Sequence, residues 1–364
     1  MIPLFATRPA IEPLLAEILE RQRGVVESGR YILGPEGESF ERAFATYVGR
    51  RHCIGVANGT DALSIALRAL GIGPGDEVII PALTFFATAE AVVNIGAIPV
   101  FADIDPATHC LTAKTAAPAI RGRTKAIAPV HLFGNVAPMI ELNELADEHG
   151  LVVLEDAAQA AGARLSGRMA GSWGTAAAFS FYPSKNLGAL GDAGAIVTDD
   201  GGVAEAALRL RNHGTVDRWI HAEPGYNSRL DELQAAALSV MLPHLDDWTR
   251  LRRQVAGEYR KGGLGEVVTL PVETQDAQAA YHLFVVTTPR RDQLASALAE
   301  AGIEARAYFT TALHRQPAMA GYAPEALRNA ERLAAEGLAL PMGPALDPGS
   351  VAAVVDEVRR ILAT

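Results

Sequence analysis

From residue 151 the sequence reads Leu151-Val152-Val153-Leu154-Glu155-Asp156, and further on it reads Phe179-Ser180-Phe181-Tyr182-Pro183-Ser184-Lys185-Asn186-Leu187-Gly188. Both stretches contain the apolar, strand-like run of a buried sheet, and each brings a residue that can carry chemistry to a strand end. The chain has only four lysines, and Lys185 alone follows an aromatic run and precedes a glycine-rich one. The two stretches predict an α/β fold in which an acid and a lysine stand beyond buried strands.

Strand-like and helical segments alternate on both sides of these stretches. Strands are predicted at 53–57, 76–81, 98–103, 126–131, 151–155, 176–181 and 193–198. Helices are predicted at 11–26, 40–47, 62–70, 86–95 and 139–149. This alternation is typical of a mostly parallel sheet that is buried on both faces, and such sheets bind ligands outside the carboxyl ends of their strands.

The regular alternation of strands and helices ends near residue 246, where a long polar helix is predicted over 246–261. A strand at 283–287, a helix at 291–301 and a last helix from Ser350 follow it. A chain of 364 residues is too long for one small core. We therefore predict a large domain at 1–245 and a smaller α+β domain at 246–364.

Composition and charge argue against several classes of function. The net charge of −10 makes a nucleic-acid groove unexpected, although backbone amides can still bind a phosphate locally. No apolar run reaches about 18 residues, and the N-terminus lacks the features of a signal peptide, so we expect no membrane span and a cytoplasmic location. Cys53 and Cys110 are predicted to be buried thiols, and no metal site is expected because no metal-ligand spacing occurs.

Lys185 and Asp156 have the arrangement that pyridoxal phosphate chemistry requires. A lysine forms the Schiff base with this cofactor, and a carboxylate holds the pyridine nitrogen protonated so that the ring accepts electrons. Neighbouring aromatic residues would desolvate the lysine and lower its pKa, which makes it a better nucleophile and proton carrier. The alternatives are a solvated surface amine for Lys185 and a helix-capping acid for Asp156.

The turn at 58–60 could bind the cofactor's phosphate. Gly59 lets the backbone approach an anion, the following helix offers free N–H groups, and Thr60 adds a hydroxyl. Ser180, at the end of another predicted strand, could bind the same phosphate. An ordinary strand-to-helix turn with an N-cap is the alternative.

Three further residues could surround the cofactor ring. Phe85 follows a predicted strand and would either stack on the ring or fill the core. Ala158 is small enough to let the ring lie flat, and Gln159 could reach the phenolic oxygen. Further along, Asn227 offers an amide donor and Arg229 a fork for phosphate or carboxylate, unless their loop is simply solvated.

Taken together, these segments closely resemble the DegT/DnrJ/EryC1/StrS family of aminotransferases that act on sugars. The matching motifs occur in order along nearly the whole chain, at 58–63, 84–88, 129–134, 155–160, 179–194, 225–230 and 338–342. The resemblance implies a type I aminotransferase fold, with a mostly parallel seven-stranded sheet in the large domain. It also implies pyridoxal 5'-phosphate as cofactor and a homodimer whose active sites lie at the subunit interface.

The resemblance assigns roles to individual residues. Lys185 would be the Schiff-base lysine, Asp156 would pair with the pyridine nitrogen, and Gln159 would meet the ring oxygen. The remaining contacts with the cofactor are implied for Gly59, Thr60 and Ser180 at the phosphate, Asn227 of the partner subunit at the same phosphate, Phe85 stacked on the ring and Ala158 beneath it. The residues implied to lie near a sugar nucleotide are His131, His213, Arg229, Tyr308 and His314.

Within the family, the segment around Lys185 looks most like members that aminate C3 of a 3-keto sugar linked to dTDP or UDP, with L-glutamate as amino donor. Ser184 stands where these members have glycine. The alternatives are amination at C4 or of a cyclitol ketone. A dehydratase or sensory member is less expected, because family dehydratases carry histidine in place of the lysine. A non-enzymatic binding protein would bind no cofactor.

Overall fold

The structure is a computed structural model that describes residues 1–5, 8–217, 219–323 and 326–363. Its α-helices are α1 (Arg8–Ile11), α2 (Leu15–Ser28), α3 (Pro35–Val48), α4 (Gly59–Ala69), α5 (Ala87–Asn94), α6 (Ala113–Ala116), α7 (Met139–His149), α8 (Gly201–Arg211), α9 (Glu232–Met241), α10 (Leu245–Lys261), α11 (Arg291–Glu300), α12 (Arg328–Glu336) and α13 (Pro348–Leu362). Its strands are β1 (His52–Val56), β2 (Glu77–Pro81), β3 (Ile98–Ala102), β4 (Thr124–Ile127), β5 (Val152–Asp156), β6 (Arg164–Leu165), β7 (Arg168–Met169), β8 (Ala176–Ser180), β9 (Gly194–Thr198), β10 (Ala277–Gln278), β11 (Phe284–Thr287) and β12 (Gly337–Leu340).

The central sheet has seven strands in the order β1-β9-β8-β5-β4-β2-β3. The pairs from β8 to β3 are parallel, whereas β9 runs antiparallel to both of its neighbours. The carboxyl ends of the six other strands therefore share one edge of the sheet. This topology confirms the predicted mostly parallel sheet, and each of the seven strands overlaps a predicted one.

Both faces of the sheet are covered, because neighbouring residues of its strands point in opposite directions. In β2, Val78 and Ile80 pack in one hydrophobic cluster with α4 and α5, whereas Ile79 packs with α7 in another. All three side chains are fully buried. Burial of an aliphatic side chain of this size contributes about 1.5–3 kcal/mol to stability, so packing on both faces stabilises the sheet that carries the site.

Two predicted elements differ in extent from the structure, and helix α9 was missed. The helix predicted at 11–26 is divided by a 3-10 turn at Glu12–Leu14, because Pro13 has no N–H for an α-helical hydrogen bond. The strand predicted at 126–131 ends at Ile127, since Pro129 cannot donate to the ladder. Helix α9 was not predicted because it is apolar nearly all round, which leaves no helical periodicity to detect.

The C-terminal part of the chain forms its own hydrophobic cluster from α10, α11, α13 and the antiparallel pair β11–β12. The N-terminal segment joins this part, since Ile2 forms a parallel bridge with Ile303 and Leu4 accepts a hydrogen bond from the Met342 amide at 3.0 Å. Residues 1–4 thus contact the predicted smaller domain. The boundary between residues 245 and 246 stays a prediction.

Both cysteines are buried free thiols, as predicted. Burial raises the pKa of Cys53 well above its ordinary value and that of Cys110 to about 12, so neither thiol is a ready nucleophile. Along the described ranges, the structure contains no helix with the length and apolar character needed to cross a bilayer.

Candidate active site

A cavity of about 760 Å³ lies at the carboxyl ends of the central strands. Asp156 ends β5, Ser180 ends β8, and Gly59 begins α4 just beyond β1. The structure brings nine of the predicted site residues to this cavity, namely Gly59, Thr60, Phe85, Asp156, Ala158, Gln159, Ser180, Lys185 and Tyr308. The strand-end argument from the sequence therefore located the cavity.

Asp156 presents a buried carboxylate to this cavity, with a relative exposure of 4%. The Thr88 hydroxyl donates to its Oδ2 at 2.7 Å, and the Ala158 amide donates to its Oδ1 at 3.2 Å. Burial raises the pKa of Asp156, and these two hydrogen bonds and the charge of Lys185 only partly offset it. A buried carboxylate in this setting favours a cationic partner in the cavity.

Glu155, the preceding residue, points away from the cavity because side chains alternate along a strand. Its carboxylate accepts hydrogen bonds from the amides of Gly171, Trp173 and Gly174 at 2.6–2.7 Å. Burial pushes its pKa upward, but the hydrogen bonds from His131, Gly174 and Gly171 outweigh burial and hold the pKa below its ordinary value. The two neighbouring acids thus have separate roles. Asp156 lines the cavity, whereas Glu155 holds the end of β5 in place through its hydrogen bonds.

His131 is placed differently from its predicted position near a sugar nucleotide. Its side chain is fully buried and does not line the cavity. Nε2 lies 2.8 Å from Glu155 Oε2, and Nδ1 accepts the Ala137 amide at 3.1 Å. Because both ring nitrogens already have partners within the protein, the ring has no group left for a substrate.

The His131→Ala substitution is expected to lower the free energy of unfolding by about 3 kcal/mol, since it leaves the buried Glu155 carboxylate short of a partner and opens a cavity. Urea denaturation measures this loss. The KM for a sugar nucleotide should change less than about threefold if the ring touches no substrate. The exposed His149, at the end of α7, is the matched control for alanine substitution. A large rise in KM with unchanged stability would instead place His131 at the substrate.

Lys185 extends into the cavity from a turn that follows β8. The Lys185 amide donates to the Tyr182 carbonyl at 2.8 Å, which closes the turn, and Asn186 Nδ2 donates to the Ala280 carbonyl at 2.8 Å, which ties the turn to the C-terminal part of the chain. Burial lowers the pKa of Lys185 to about 8, although the Asp156 charge acts in the opposite direction. Roughly a tenth of the amine is therefore uncharged at pH 7, a far larger share than for an unperturbed lysine.

Labelling of Lys185 by an amine-reactive reagent in cofactor-free protein is expected to be half-maximal near pH 8, because only the uncharged amine reacts. An unperturbed lysine has a pKa of about 10.4, so a model peptide should need a pH more than two units higher. Peptide mapping by mass spectrometry across a pH series measures the labelling. Half-maximal labelling of Lys185 above pH 10 would show that burial does not disfavour its charge.

The start of α4 and the end of β8 form an anion cradle. Asn58 caps the helix by accepting the Asp61 amide at 2.8 Å, and the first helical amides have no acceptor within the helix. A Cβ at Gly59 would lie 2.7 Å from Ser180 Cβ, so only glycine permits this approach. Thr60 and Ser180 add hydroxyls on the cavity wall. Backbone amides, a helix dipole and two hydroxyls are the donor set that a phosphate group needs.

The cavity walls leave room for a flat ring between these groups. Phe85 is 59% exposed on the wall, which is unusual for a core aromatic and fits a stacking role. Gln159 Oε1 accepts the Phe133 amide at 2.7 Å, so its Nε2 group remains to donate toward the cavity. A lysine, a buried acid, an anion cradle and an exposed aromatic face together fit pyridoxal phosphate.

The other predicted residues do not line the cavity of the single subunit. His213 and Arg229 lie together at the surface, with His213 Nε2 3.4 Å from Arg229 Nη1, and Asn227 is exposed nearby. His314 is buried, with Nε2 2.9 Å from Glu331 Oε1. Its burial and ion-pair geometry argue against the predicted contact with a sugar nucleotide.

Sequence reasoning missed several residues of the cavity. Thr88 lies within the motif 84–88, and a hydroxyl in the first turn of the helix that follows a strand was the signal that could have found it. His282 had no such signal, because it belongs to the C-terminal part and reaches the cavity only through the folding of the chain. The other lining residues not predicted include Asp61, Glu90, Tyr182, Ser184, Asp192 and Phe309.

Comparison with known proteins agrees with this geometry. The family model of the DegT/DnrJ/EryC1/StrS aminotransferase family matches residues 14–359. A dTDP-3-amino-3,4,6-trideoxy-alpha-D-glucose transaminase from Streptomyces venezuelae is 46% identical over 361 residues, which covers 98% of this chain and 95% of the relative. A UDP-N-acetyl-3-dehydro-alpha-D-glucosamine 3-aminotransferase from Acidithiobacillus ferrooxidans is 43% identical over 361 residues, covering 99% of this chain and 98% of that one.

The crystal structure of S. venezuelae DesV in complex with a ketimine intermediate superimposes with a TM-score of 0.96. It is 46% identical in sequence, and the match covers 99% of this chain and 98% of DesV. This likeness confirms the predicted type I aminotransferase fold.

Proposed function

Because the chain belongs to the DegT/DnrJ/EryC1/StrS aminotransferase family, we propose that it binds pyridoxal 5'-phosphate and transfers an amino group from L-glutamate to a 3-keto sugar linked to dTDP or UDP. The observation that carries the proposal is the pair Lys185 and Asp156, which line one cavity beside an anion cradle. An amine with a pKa of about 8 and a buried carboxylate are the two groups that amine transfer demands of the protein.

When bound, the cofactor would supply an aldehyde for the amino group and a ring that accepts electrons from the reacting carbon. Lys185 would hold the cofactor covalently, and its released amine would then move a proton between two carbon atoms. Asp156 would keep the ring nitrogen protonated, because a buried carboxylate is costly without a cationic partner and the protonated nitrogen provides one. Gly59, Thr60 and Ser180 would anchor the phosphate.

The choice of a 3-keto sugar nucleotide is supported by the names of the two relatives, a dTDP-3-amino sugar transaminase and a UDP-3-dehydro sugar 3-aminotransferase. Amination at C4 and amination of a cyclitol ketone are the alternatives. A panel of 3-keto and 4-keto sugars on dTDP and UDP, with a cyclitol ketone, tests the choice when each is incubated with L-glutamate. NMR of the products identifies the aminated carbon.

We expect at least about tenfold higher kcat/KM for a 3-keto sugar nucleotide than for the other members of the panel. Preferential conversion of a 4-keto sugar or a cyclitol ketone would overturn the substrate assignment and leave the aminotransferase assignment standing. An absorbance scan before and after the addition of glutamate tests the aminotransferase assignment separately. A cofactor band that glutamate does not change would favour a sensory protein, and absence of any band would favour a binding protein.

A homodimer with shared active sites is part of the proposal. Phe85 and Tyr182 line the cavity and are more than half exposed, and Tyr31, Ile32 and Leu33 form an exposed apolar run. Exposed apolar surface of this kind marks an interaction site in a soluble enzyme. The predicted cytoplasmic location rests on the sequence alone.

Charge also supports a contribution from a second subunit. Among the described residues that line the cavity, Lys185 is the only lysine or arginine, whereas Asp61, Glu90 and Asp192 are acids. A sugar nucleotide and glutamate are both anionic, so further donors are needed. Asn227 and Arg229 offer them, and a two-fold dimer would carry them from each subunit to the cavity of the other.

Mixing two inactive variants tests this arrangement. If Asn227 serves the partner's cavity, Lys185→Ala and Asn227→Ala subunits form a hybrid with one intact site, so random reassociation should restore about a quarter of the activity. If Asn227 serves its own subunit, the mixture stays inactive. Light scattering after chromatography measures the dimer itself, and the reassociation step is verified by differently tagged subunits.

A further inference from the structure

The segment 280–283 connects the C-terminal part of the chain to the lysine turn. The Ala280 amide donates to the Gly134 carbonyl at 2.9 Å, and the Leu283 amide donates to the Phe133 carbonyl at 3.3 Å. The Ala280 carbonyl accepts Asn186 Nδ2 at 2.8 Å. Asn186 directly follows the lysine, so the position of this segment is coupled to the position of Lys185.

The backbone of this segment is held in a conformation that its residues do not favour. Tyr281 has a φ of +45°, which is rare for a bulky aromatic residue. Arg252 is buried and donates to the Tyr281 carbonyl at 3.0 Å and the His282 carbonyl at 3.5 Å, and burial lowers its pKa to about 10. A buried guanidinium that holds a strained turn indicates that the placement of the turn has a function.

This turn presents His282 to the cavity. The ring is stacked on Phe5 with centroids 5.9 Å apart, and the residue is only 4% exposed. Nδ1 is buried and has no hydrogen-bond partner among the described residues. Buried polar atoms without partners are rare and call for an explanation such as a ligand, a water or a moving side chain.

The charges around the ring determine what it can bind. Burial first, and then the positive charges of Lys185 and Arg252, hold the pKa of His282 well below its ordinary value, so the imidazole is neutral. A lysine ammonium only donates hydrogen bonds, and a neutral imidazole has one nitrogen that accepts them. The two groups line the same cavity and are thus complementary, while the charge of Asp156 attracts the same amine.

We propose that His282 is a positioning residue for Lys185. A ring nitrogen of His282 accepts a hydrogen bond from the lysine amine whenever that amine is free in the cavity. This inference rests on the proposed function, in which the free amine carries the proton. By offering the amine a second partner, His282 keeps it from settling against Asp156 and holds it over the reacting carbon. A proton carrier must stay within hydrogen-bond reach of the atoms it serves.

Two kinds of substitution separate this role from packing. His282→Phe keeps a flat ring for Phe5 to stack on but removes the acceptor. His282→Gln and His282→Asn keep an amide oxygen close to the position of Nε2 and Nδ1, respectively. Thermal denaturation of each variant establishes that it is folded before any comparison is made.

The first readout is the pKa of Lys185 in cofactor-free protein, measured by labelling across a pH series. An acceptor stabilises the ammonium, so His282→Phe should lower this pKa by about one unit, and one of the two amide variants should restore it. The second readout is the rate of a single half-reaction with glutamate. It should fall about 10- to 100-fold in His282→Phe and recover in the same amide variant.

An unchanged lysine pKa in folded His282→Phe would overturn the proposal. So would equal impairment of all three variants, which would indicate packing alone. The labelling readout requires no substrate and no transfer. A shifted lysine pKa in a protein that transfers no amine would therefore refute the proposed function while leaving the contact between His282 and Lys185 in place.

Discussion

The Lys185→Ala variant is expected to lose amine transfer almost completely, with kcat reduced by about 10⁴-fold or more. Two tasks disappear together, since the lysine both anchors the cofactor covalently and carries the proton. No other lysine or arginine among the described residues lines the cavity, so no neighbouring base of this kind can take over. Steady-state turnover with L-glutamate and a 3-keto sugar nucleotide measures the loss.

A matched control is Lys114→Ala, which removes an exposed lysine outside the cavity and should leave turnover unchanged. Cofactor retention distinguishes the two tasks of Lys185. The variant should still bind the cofactor through the anion cradle around Gly59, but dialysis should remove the cofactor faster because the covalent bond is gone. Turnover within tenfold of the unsubstituted protein would refute the assignment of Lys185.

The Asp156→Asn variant is expected to reduce kcat by about 10³-fold, because an amide cannot supply the negative charge that keeps a ring nitrogen protonated. The fold should tolerate this change. The Asn carbonyl can accept the Ala158 amide in place of Oδ1, and the Thr88 hydroxyl can rotate to accept the new amide group. Turnover and the half-reaction with glutamate should fall in parallel.

Stability provides an independent check on the same substitution. Burial raises the pKa of Asp156, so ionisation of this carboxyl is less favourable in the folded cofactor-free protein than in the unfolded chain. Its replacement by Asn should therefore not lower the Tm of the cofactor-free protein, whereas the Tm increase on cofactor binding should shrink. The raised pKa reflects a cost of the ionised carboxylate alone. Any Tm difference in favour of the Asn variant should therefore disappear as the pH falls and Asp156 becomes protonated.

Glu90→Gln is the control for the loss of a negative charge in the same cavity, and its kcat should stay within about tenfold of the unsubstituted value. If Glu90→Gln proved as damaging as Asp156→Asn, the general field of the cavity would be responsible, and the specific partnership of Asp156 would be wrong.

The tandem acids show how far sequence reasoning reaches. The pattern predicted a strand that ends in two acids, and alternation along a strand requires the two carboxylates to face opposite sides. It did not predict that Glu155 would bind His131 and three backbone amides. The three amide donors come from the segment after β7, and His131 comes from the segment after β4, so their meeting with Glu155 depends on how both segments fold over the sheet.

Local sequence determined the elements that carry the chemistry. Buried runs such as 151–156 form strands, and small and polar residues follow them. Because parallel strands have their carboxyl ends at one edge of the sheet, Asp156, Ser180 and Lys185 lie close together. Only the tertiary structure decided which groups surround the lysine. Asn186 and Ala280 are 94 residues apart, yet their hydrogen bond brings His282 to the cavity. No local periodicity encodes such a contact, because it depends on a strained turn and a buried arginine that act only once both parts of the chain have packed together.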